Sequence, residues 1–342
     1  MSADVHRFAL IGCGHWGPNH LRNFASLPGS SVEVVVDLNP ERFDAIRRSH
    51  PGIRCEQDYW VALDDPAVDA VVVATPMSTH YQLVRDAILA GKHVLCEKPL
   101  CETAKEGEEL VELAEAHDRL LMVGHVFLFN PGIERLRELV HGGELGRLYY
   151  LAAFRTNLGP IRHDANAAYD LAGHDISIFN WLLGTPPETA SATGAAFLQP
   201  EVEDVVFISL RYPGNVLAGI QASWLDPKKV RQITAVGSRR MATWDDLQLN
   251  APMAIYDKGA SAVPEYGDFG EFLRLSTWEG DVRLPKVGSE EPLKAQARQF
   301  LDYLERGRVE RSDGAFALGV VKTLEAVAAS IRSGGSTQEV AP

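Results

Sequence analysis

Short apolar runs alternate with amphipathic stretches over the first 124 residues, and this alternation limits the possible folds more than any other feature of the chain. The run AVVVA at residues 70–74 suits a strand that is buried on both faces of a parallel sheet. Amphipathic stretches such as residues 104–117, which follow the candidate N-cap Thr103, suit the helices that cover such a sheet. The predicted strands are residues 7–11, 32–37, 52–56, 70–75, 93–97 and 120–124, with helices that include residues 81–90 and 104–117.

A glycine motif, GCGHWG at residues 12–17, lies between the first predicted strand and the first helix. Its three glycines permit a tight turn, a close approach of backbone to a pyrophosphate, and close helix packing on the strand. Asp37 ends the second strand about 20 residues later, where a carboxylate accepts hydrogen bonds from the adenosine ribose and repels a 2′-phosphate. Arg42 follows and is the cation that argues for NADP, but the pattern as a whole favours NAD.

The loops at the carboxyl ends of later strands should also contact the dinucleotide, because these ends share one edge of a parallel sheet. Thr75 and Pro76 follow the fourth strand. His80 opens the next helix, where a capping role and a cofactor contact are equally good interpretations. The predicted cofactor-binding residues are Gly12, Gly14, His15, Trp16, Gly17, Asp37, Thr75, Pro76, His80, Glu97 and Lys98.

Bulk composition narrows the classes of partner. A length of 342 residues favours two domains, and a net charge of −13 argues against nucleic acid or an anionic membrane as partner. No apolar run approaches the roughly 18 residues of a membrane span, and residues 1–7 lack the apolar stretch of a signal peptide.

Four cysteines without a CxxC pair predict a reduced, cytoplasmic protein. The 11 histidines show no HExxH or other tight ligand spacing, so we predict no metal site.

The pattern changes after residue 124. Helices at 133–140 and 170–183 flank a strand at 149–157, and strands with short turns occupy residues 189–256, which indicates an antiparallel sheet. A polar stretch at 258–292 predicts a loop, and helices at 293–306 and 313–332 close the chain. We therefore predict an α/β protein with a doubly wound Rossmann domain over residues 1–124 and an α+β domain over residues 125–342.

Two groups of residues suggest proton chemistry. Lys98 follows the fifth strand, at the edge where the reactive ring of a dinucleotide lies. Asp170 and His174 are four residues apart in a predicted helix, so they share a face, and a carboxylate beside an imidazole suits a general acid or base. Either Lys98 takes the proton of a substrate hydroxyl, or it stays cationic and stabilises the alkoxide while His174 takes the proton.

The glycine motif, the sequence Glu97-Lys98-Pro99 and the Asp170–His174 pair together resemble the Gfo/Idh/MocA oxidoreductase family. The resemblance implies that a domain with a large open, mostly antiparallel sheet follows the Rossmann domain. It also implies that Lys98, Asp170 and His174 are catalytic and line the substrate pocket, and that the protein is a homodimer or homotetramer.

Finer similarities, at residues 14–19, 155–162 and 170–176, indicate the NAD-dependent 3-dehydrogenases of UDP-N-acetylglucosamine and its uronic acid. His15 and Gly173 depart from that pattern, since an aromatic residue and a proline are expected there. An anionic nucleotide sugar needs local cations and hydrogen-bonding groups. The expected substrate contacts are Arg155, Asn157, Arg162 and Lys228, with Asp164 and Asn166 as further candidates for the sugar hydroxyls.

Four alternatives remain open. The enzyme classes are an inositol or free-sugar dehydrogenase, a ketoreductase of deoxysugar biosynthesis, and an enzyme that retains its cofactor through a transient oxidation. A fourth, of a different class, is a regulator that senses a dinucleotide without turnover. The presence of both Lys98 and His174 argues against the regulator, because a sensor needs no proton transfer.

Overall fold

The computed structural model describes residues 5–163, 165–267 and 270–341. The chain divides into two compact units. The first runs to Asn130 and also includes Glu290–Glu325, and the second comprises Pro131–Ser289 and the residues from Ala326 onward. The predicted division was a single boundary after residue 124. The structure differs from it because the segment Glu290–Glu325 belongs to the first unit.

The first unit is built on a six-stranded parallel sheet in the order β3-β2-β1-β4-β5-β6. Its elements in chain order are β1 (His6–Ile11), α1 (Gly17–Ser26), β2 (Ser30–Val36), α2 (Phe43–Ser49), β3 (Arg54–Glu56), α3 (Trp60–Leu63), β4 (Ala70–Val73), α4 (His80–Leu89), β5 (His93–Glu97), α5 (Ala104–Ala116) and β6 (Leu121–Gly124). This strand order is that of the Rossmann fold, with the carboxyl ends of the strands along one edge. The predicted fold of this part of the chain is confirmed.

Burial explains the apolar strands of this unit. Val34, Val71 and Val94, from three different strands, are fully buried because helices cover both faces of the sheet. The predicted cap of α5 is also present: Thr103 accepts a hydrogen bond from the backbone of Glu106, whose carboxylate accepts one from the backbone of Thr103. This reciprocal capping box satisfies two of the amides that a helix start leaves open.

Two further helices follow late in the chain, α8 (Pro292–Arg306) and α9 (Gly314–Arg332). Within the described ranges, α9 is the one helix long and apolar enough to cross a membrane, and half of its most apolar window is buried inside the protein. Val321 and Leu324 of α9 are at most 1% exposed, and Val321 belongs to the core of the first unit. Such burial is what a core helix shows.

The second unit contains a nine-stranded sheet in the order β14-β13-β12-β11-β7-β10-β9-β8-β15. Among the strand pairs that the structure describes, only β7–β10 is parallel, so the predicted large, mostly antiparallel sheet is confirmed. Its elements are α6 (Pro131–His141), β7 (Leu148–Thr156), α7 (Gly173–Leu183), β8 (Thr189–Ala195), β9 (Val205–Tyr212), β10 (Val216–Ser223), β11 (Val230–Gly237), β12 (Met241–Asp245), β13 (Met253–Gly267), β14 (Gly270–Arg283) and β15 (Gln338–Glu339).

The prediction of a loop over residues 258–292 is wrong for its first part, where β13 and β14 form a long hairpin. β12 pairs with β13 only as far as Tyr256. Beyond that residue the two strands of the hairpin pair only with each other in the described part of the sheet. The stretch is polar and contains glycine and proline, so its sequence predicts a loop.

Candidate active site

The glycine motif forms a turn that leads from β1 into α1. Gly12 has a φ of +92°, and a Cβ atom there would lie 2.6 Å from the carbonyl oxygen of Ala74. A Cβ on Gly17 would lie 2.2 Å from the carbonyl oxygen of Gly12. At Gly14 the nearest atoms to such a Cβ belong to the guanidinium of Arg42, with Nη1 at 3.6 Å, which is an ordinary contact with a side chain. The first and third glycines are therefore needed for backbone packing, whereas no backbone atom lies against the second, at which a pyrophosphate is expected.

Asp37, directly after β2, ties this turn together. Its Oδ2 atom accepts a hydrogen bond from the backbone N–H of Cys13 (2.7 Å) and lies 2.7 Å from Nη1 of Arg42. Its Oδ1 atom accepts the backbone N–H of Asn39 (2.8 Å). Burial on its own would raise the pKa of Asp37, but these donors outweigh it and the pKa lies below its ordinary value. Asp37 is thus an anion at the predicted position of the adenosine ribose.

Lys98 lies at the carboxyl end of β5, directly after a buried carboxylate. The Glu97 side chain accepts a hydrogen bond from Nε2 of His20 in α1 (2.7 Å) and another from the backbone N–H of Lys98 (3.2 Å). Burial alone would raise the pKa of Glu97, yet the contacts with His20 and Lys98 lower it below the usual value. The turn that carries Lys98 is therefore fixed by an ionised side chain within the same unit.

His80 holds this turn from the other side. Nδ1 of His80 lies 2.7 Å from the carbonyl oxygen of Pro99, and Nε2 lies 2.9 Å from that of Thr75. The residue is 1% exposed, and its burial lowers the pKa of the imidazole. A cofactor contact of His80 is not supported, because both ring nitrogens face the backbone of two loops. We correct its role to that of a link between the loops after β4 and β5.

Another buried histidine, His125, lies close enough to Lys98 for the two charges to interact. The Nδ1–H of His125 donates to the hydroxyl oxygen of Ser312 (2.7 Å), and that hydroxyl donates to the carbonyl oxygen of Val123 (2.7 Å). This chain assigns the proton of the neutral imidazole to Nδ1. Burial, with the charge of Lys98 as a smaller cause, lowers the pKa of His125 to about 3. His125 is therefore neutral next to the lysine.

Asp170 and His174 belong to the second unit, at the start of α7. Asp170 lies in a π-helical turn, Ala168–Ala172, and His174 lies in the first turn of the α-helix that continues it. The Asp170 carboxylate accepts a hydrogen bond from Nε1 of the buried Trp224 (3.2 Å) and lies 3.3 Å from Nη1 of Arg162. Two partners from different segments thus orient the carboxylate that we predicted to be catalytic.

Arg155 and Asp175 form a buried ion pair. Nε and Nη2 of Arg155 donate to the two oxygens of Asp175 at 2.8 and 2.7 Å, and both side chains are at most 4% exposed. The expected substrate contact of Arg155 is therefore replaced by a structural role, because the fork of its guanidinium is already engaged. Asp175 is thus the counter-ion of Arg155 within the second unit.

The other predicted substrate residues differ in accessibility. Arg162 is 36% exposed beside Asp170, and Lys228 is exposed after β10. The amide of Asn157 donates to the carbonyl oxygen of Gly159 in its own turn, and that of Asn166 donates to the side chain of Glu203, 37 residues away. Asp164 lies outside the described residues.

Three further predicted cofactor contacts are exposed, and three residues of the site were not predicted from the sequence. His15 and Trp16 are exposed in the glycine turn, and Pro76 is exposed after β4. Sequence reasoning missed His20 and the His125–Ser312 pair, because their partners lie 77 and 187 residues away in the chain. Among the described residues, no group of three or more His, Cys, Asp or Glu side chains is arranged to hold a metal ion.

Family models match most of the chain. Residues 6–125 match the model of an oxidoreductase family with an NAD-binding Rossmann fold, and residues 133–243 match the GFO/IDH/MocA C-terminal domain. The glycine turn and Asp37 fit NAD, since only a side chain, that of Arg42, lies against Gly14 and the carboxylate of Asp37 is ionised.

Two curated relatives have different substrates in their names. Inositol 2-dehydrogenase 2 of Saccharopolyspora erythraea is 32% identical over 219 residues, which cover 62% of this chain and 65% of that protein. UDP-N-acetylglucosamine 3-dehydrogenase of Acidithiobacillus ferrooxidans is 30% identical over 261 residues, which cover 75% of this chain and 79% of that protein. The match thus spans slightly less than two thirds of the length of the inositol dehydrogenase. An uncharacterized oxidoreductase of Bacillus subtilis is 26% identical over 224 residues, which cover 63% of this chain and 66% of that protein. That match, too, falls just short of two thirds of the relative's length.

Solved structures show the same fold over nearly the whole chain. The A. ferrooxidans 3-dehydrogenase aligns with a TM-score of 0.80 at 26% identity, covering 96% of this chain and 97% of that one. The WlbA dehydrogenase of Bordetella pertussis, solved with NADH and UDP-GlcNAcA, aligns with a TM-score of 0.79 at 22% identity over 99% of each chain.

Proposed function

The chain belongs to the Gfo/Idh/MocA family of NAD-binding oxidoreductases, and we propose that it oxidises a secondary hydroxyl of a nucleotide-activated amino sugar. The hydroxyl is that at C3, and UDP-N-acetylglucosamine or its uronic acid is the model substrate. The proposal of an oxidation rests on the position of Lys98, which lies at the carboxyl edge of the same sheet that carries the glycine turn. The choice of sugar is supported by the 3-dehydrogenase, of which 79% of the length is matched.

When bound, NAD supplies the acceptor for the hydride. The chain's own residues must then handle the hydroxyl proton, and we assign this to Lys98 and His174. Either Lys98 accepts the proton, or it remains cationic and stabilises the developing alkoxide while His174 accepts the proton. Asp170, fixed by Trp224 and Arg162, is assigned to orient the imidazole.

A second candidate function is the oxidation of a free inositol or simple sugar. Two observations favour it. The inositol dehydrogenase is 32% identical to this chain. The ion pair with Asp175 also removes Arg155 from the cations that a diphosphate would need, which leaves Arg162 and Lys228 of the predicted set.

A substrate panel distinguishes the candidates. Purified protein is incubated with NAD and with UDP-N-acetylglucosamine, its uronic acid, myo-inositol, scyllo-inositol or glucose, and the absorbance of reduced nicotinamide is followed. Turnover confined to the UDP-sugars supports the proposal, and faster turnover of inositols or glucose supports the second candidate. Reduction of keto sugars with NADPH would instead indicate a ketoreductase, and tightly bound NAD without net release of NADH a retained-cofactor enzyme. No turnover of any sugar would contradict a dehydrogenase.

We further propose that the protein is a homo-oligomer whose copies meet at the outer face of the nine-stranded sheet. Phe154, Phe207, Leu217 and Tyr150 are 44–51% exposed on this face, and Leu217 lies opposite Tyr150 in the β7–β10 pair. Contiguous apolar side chains on a sheet face mark an interface. The substitution Phe154→Glu should lower the mass found by light scattering to that of one chain. An unchanged oligomer, or a monomeric wild-type protein, would contradict this interface.

A further inference from the structure

We propose that His20 is a positioning residue for the reaction, because it holds the Glu97 carboxylate and thereby sets the charge beside the amine of Lys98. The inference rests on the proposed function, in which Lys98 handles the proton of the substrate hydroxyl. His20 lies in α1, one helical turn after Gly17 of the cofactor turn. It therefore joins the helix that begins at the cofactor turn to the turn that carries Lys98.

The carboxylate of Glu97 lies close against the backbone of β6. A Cβ atom on Gly124 would lie 3.3 Å from Cδ and from both carboxylate oxygens of Glu97. The side chain of Glu97 is 11% exposed and that of His20 is 1% exposed. Nε2 of His20 lies 2.7 Å from Oε1 of Glu97, whereas the backbone nitrogen of Lys98 lies 3.2 Å from Oε2. Of these two hydrogen bonds, the one from His20 is the shorter.

His20 faces Glu97 with the ring nitrogen that carries its proton. Nδ1 of His20 is buried and has no hydrogen-bond partner among the residues that the structure describes. A proton on Nδ1 would be buried without an acceptor, which is unfavourable. The proton of the neutral ring is therefore assigned to Nε2, which donates to Oε1 of Glu97.

The charge of Glu97 depends on this bond. Burial alone would raise the pKa of Glu97, and the hydrogen bond from His20 is the foremost of the contacts that lower it below the ordinary value. His80 and His125 also interact with the charge of Lys98, but burial lowers the pKa of each, so both are neutral. Without His20, burial favours the protonated carboxyl group, and the Lys98 ammonium loses the anion that precedes it.

Competitive labelling with acetic anhydride tests this without a sugar. The full-length protein is labelled between about pH 6 and pH 10.5, and acetylation of Lys98 is quantified by peptide mass spectrometry. H20L removes the donor, so the midpoint of the Lys98 labelling curve should fall by about one pH unit. H20Q places an amide N–H as many bonds from Cβ as Nε2 of histidine, and it should restore the wild-type midpoint.

N23L is the matched control. Asn23 is 1% exposed on the same helix, and its side-chain oxygen also has no partner among the described residues. Its amide donates to Glu291 (3.1 Å), so N23L should leave the Lys98 midpoint unchanged. E97Q keeps the shape of the side chain and removes its charge, so the midpoint should fall as in H20L. Adding H20L to E97Q should cause no further change, because His20 acts through Glu97.

An unmoved midpoint in H20L or E97Q overturns the proposal, and E97Q decides the question if H20L does not fold. The proposal also fails if H20Q equals H20L, if N23L equals H20L, or if H20L shifts the midpoint further in the E97Q background.

Turnover gives a second readout. With the sugar that wild type oxidises fastest, kcat should fall about tenfold or more in H20L, while NAD affinity changes less than about threefold. An unchanged kcat would overturn the role of His20 in the reaction. Because the labelling needs no sugar, a wild-type protein that oxidises no sugar would contradict the proposed function and leave the labelling result to judge the link from His20 to Lys98.

Discussion

Removal of the Arg155 guanidinium should destabilise the second unit rather than merely weaken substrate binding. The pair with Asp175 is bidentate, with distances of 2.8 and 2.7 Å and side chains 4% and 1% exposed. Arg155→Gln leaves the Asp175 carboxylate buried without its counter-ion, which typically costs 3–5 kcal/mol. A substrate ligand at the surface would instead give a raised KM and nearly unchanged stability.

The assay is urea denaturation followed by tryptophan fluorescence, with the free energy of unfolding taken from the midpoint and slope. Arg298→Gln is the matched control, because Arg298 pairs with Glu290 at 58% and 38% exposure and should lose at most about 1 kcal/mol. The double variant Arg155→Met with Asp175→Leu should lose less than the sum of the two single changes, since it leaves no charge behind. A loss below about 1 kcal/mol for Arg155→Gln, together with a raised KM, would refute the structural role.

Two further predictions concern the first unit. Because the pKa of His125 is lowered from 6.5 to about 3, the unfolded state binds the proton more readily. The stability from this group is therefore present above pH 6.5 and falls by about 3 kcal/mol towards pH 4. In the His125→Gln variant the free energy of unfolding, measured with urea, should fall less steeply between pH 6.5 and pH 4 than in wild type. Equal slopes for the two proteins would contradict the lowered pKa of His125. Gly17→Ala should abolish NAD binding in calorimetry, because its Cβ would lie 2.2 Å from a carbonyl oxygen. Gly52→Ala, with nothing within 4 Å, should bind NAD normally, and equal binding by both variants would contradict the steric requirement.

Local patterns were sufficient to predict the first sheet. Its strands carry continuous apolar runs, and the glycines of the cofactor turn have a fixed spacing. Each of these patterns is contained in a stretch of a few residues, so the sequence alone reveals it. The capping box of Thr103 and Glu106 is equally local. The β13–β14 hairpin was missed because its sequence is polar and contains glycine and proline, as a loop does; beyond Tyr256 the described part of the sheet pairs these two strands only with each other.

The contacts of the candidate site could not be predicted in the same way. Whether Arg155 faces a substrate or a buried Asp175 depends on how β7 packs against α7, which the spacing of 20 residues does not reveal. The support of Glu97 by His20 joins residues 77 apart. Sequence patterns therefore identified which residue types carry the chemistry, whereas only the fold shows which of them are already engaged.

The most direct test of the central claim is a comparison of NAD binding and turnover in Lys98→Met. Turnover is measured with the sugar that gives the fastest reduction of NAD in wild type, and Lys105→Met serves as the control because Lys105 is 86% exposed on α5. We predict that Lys98→Met binds NAD within about threefold of wild type while kcat falls by about two to four orders of magnitude. A kcat near that of the control would contradict the assignment of Lys98 to the proton chemistry.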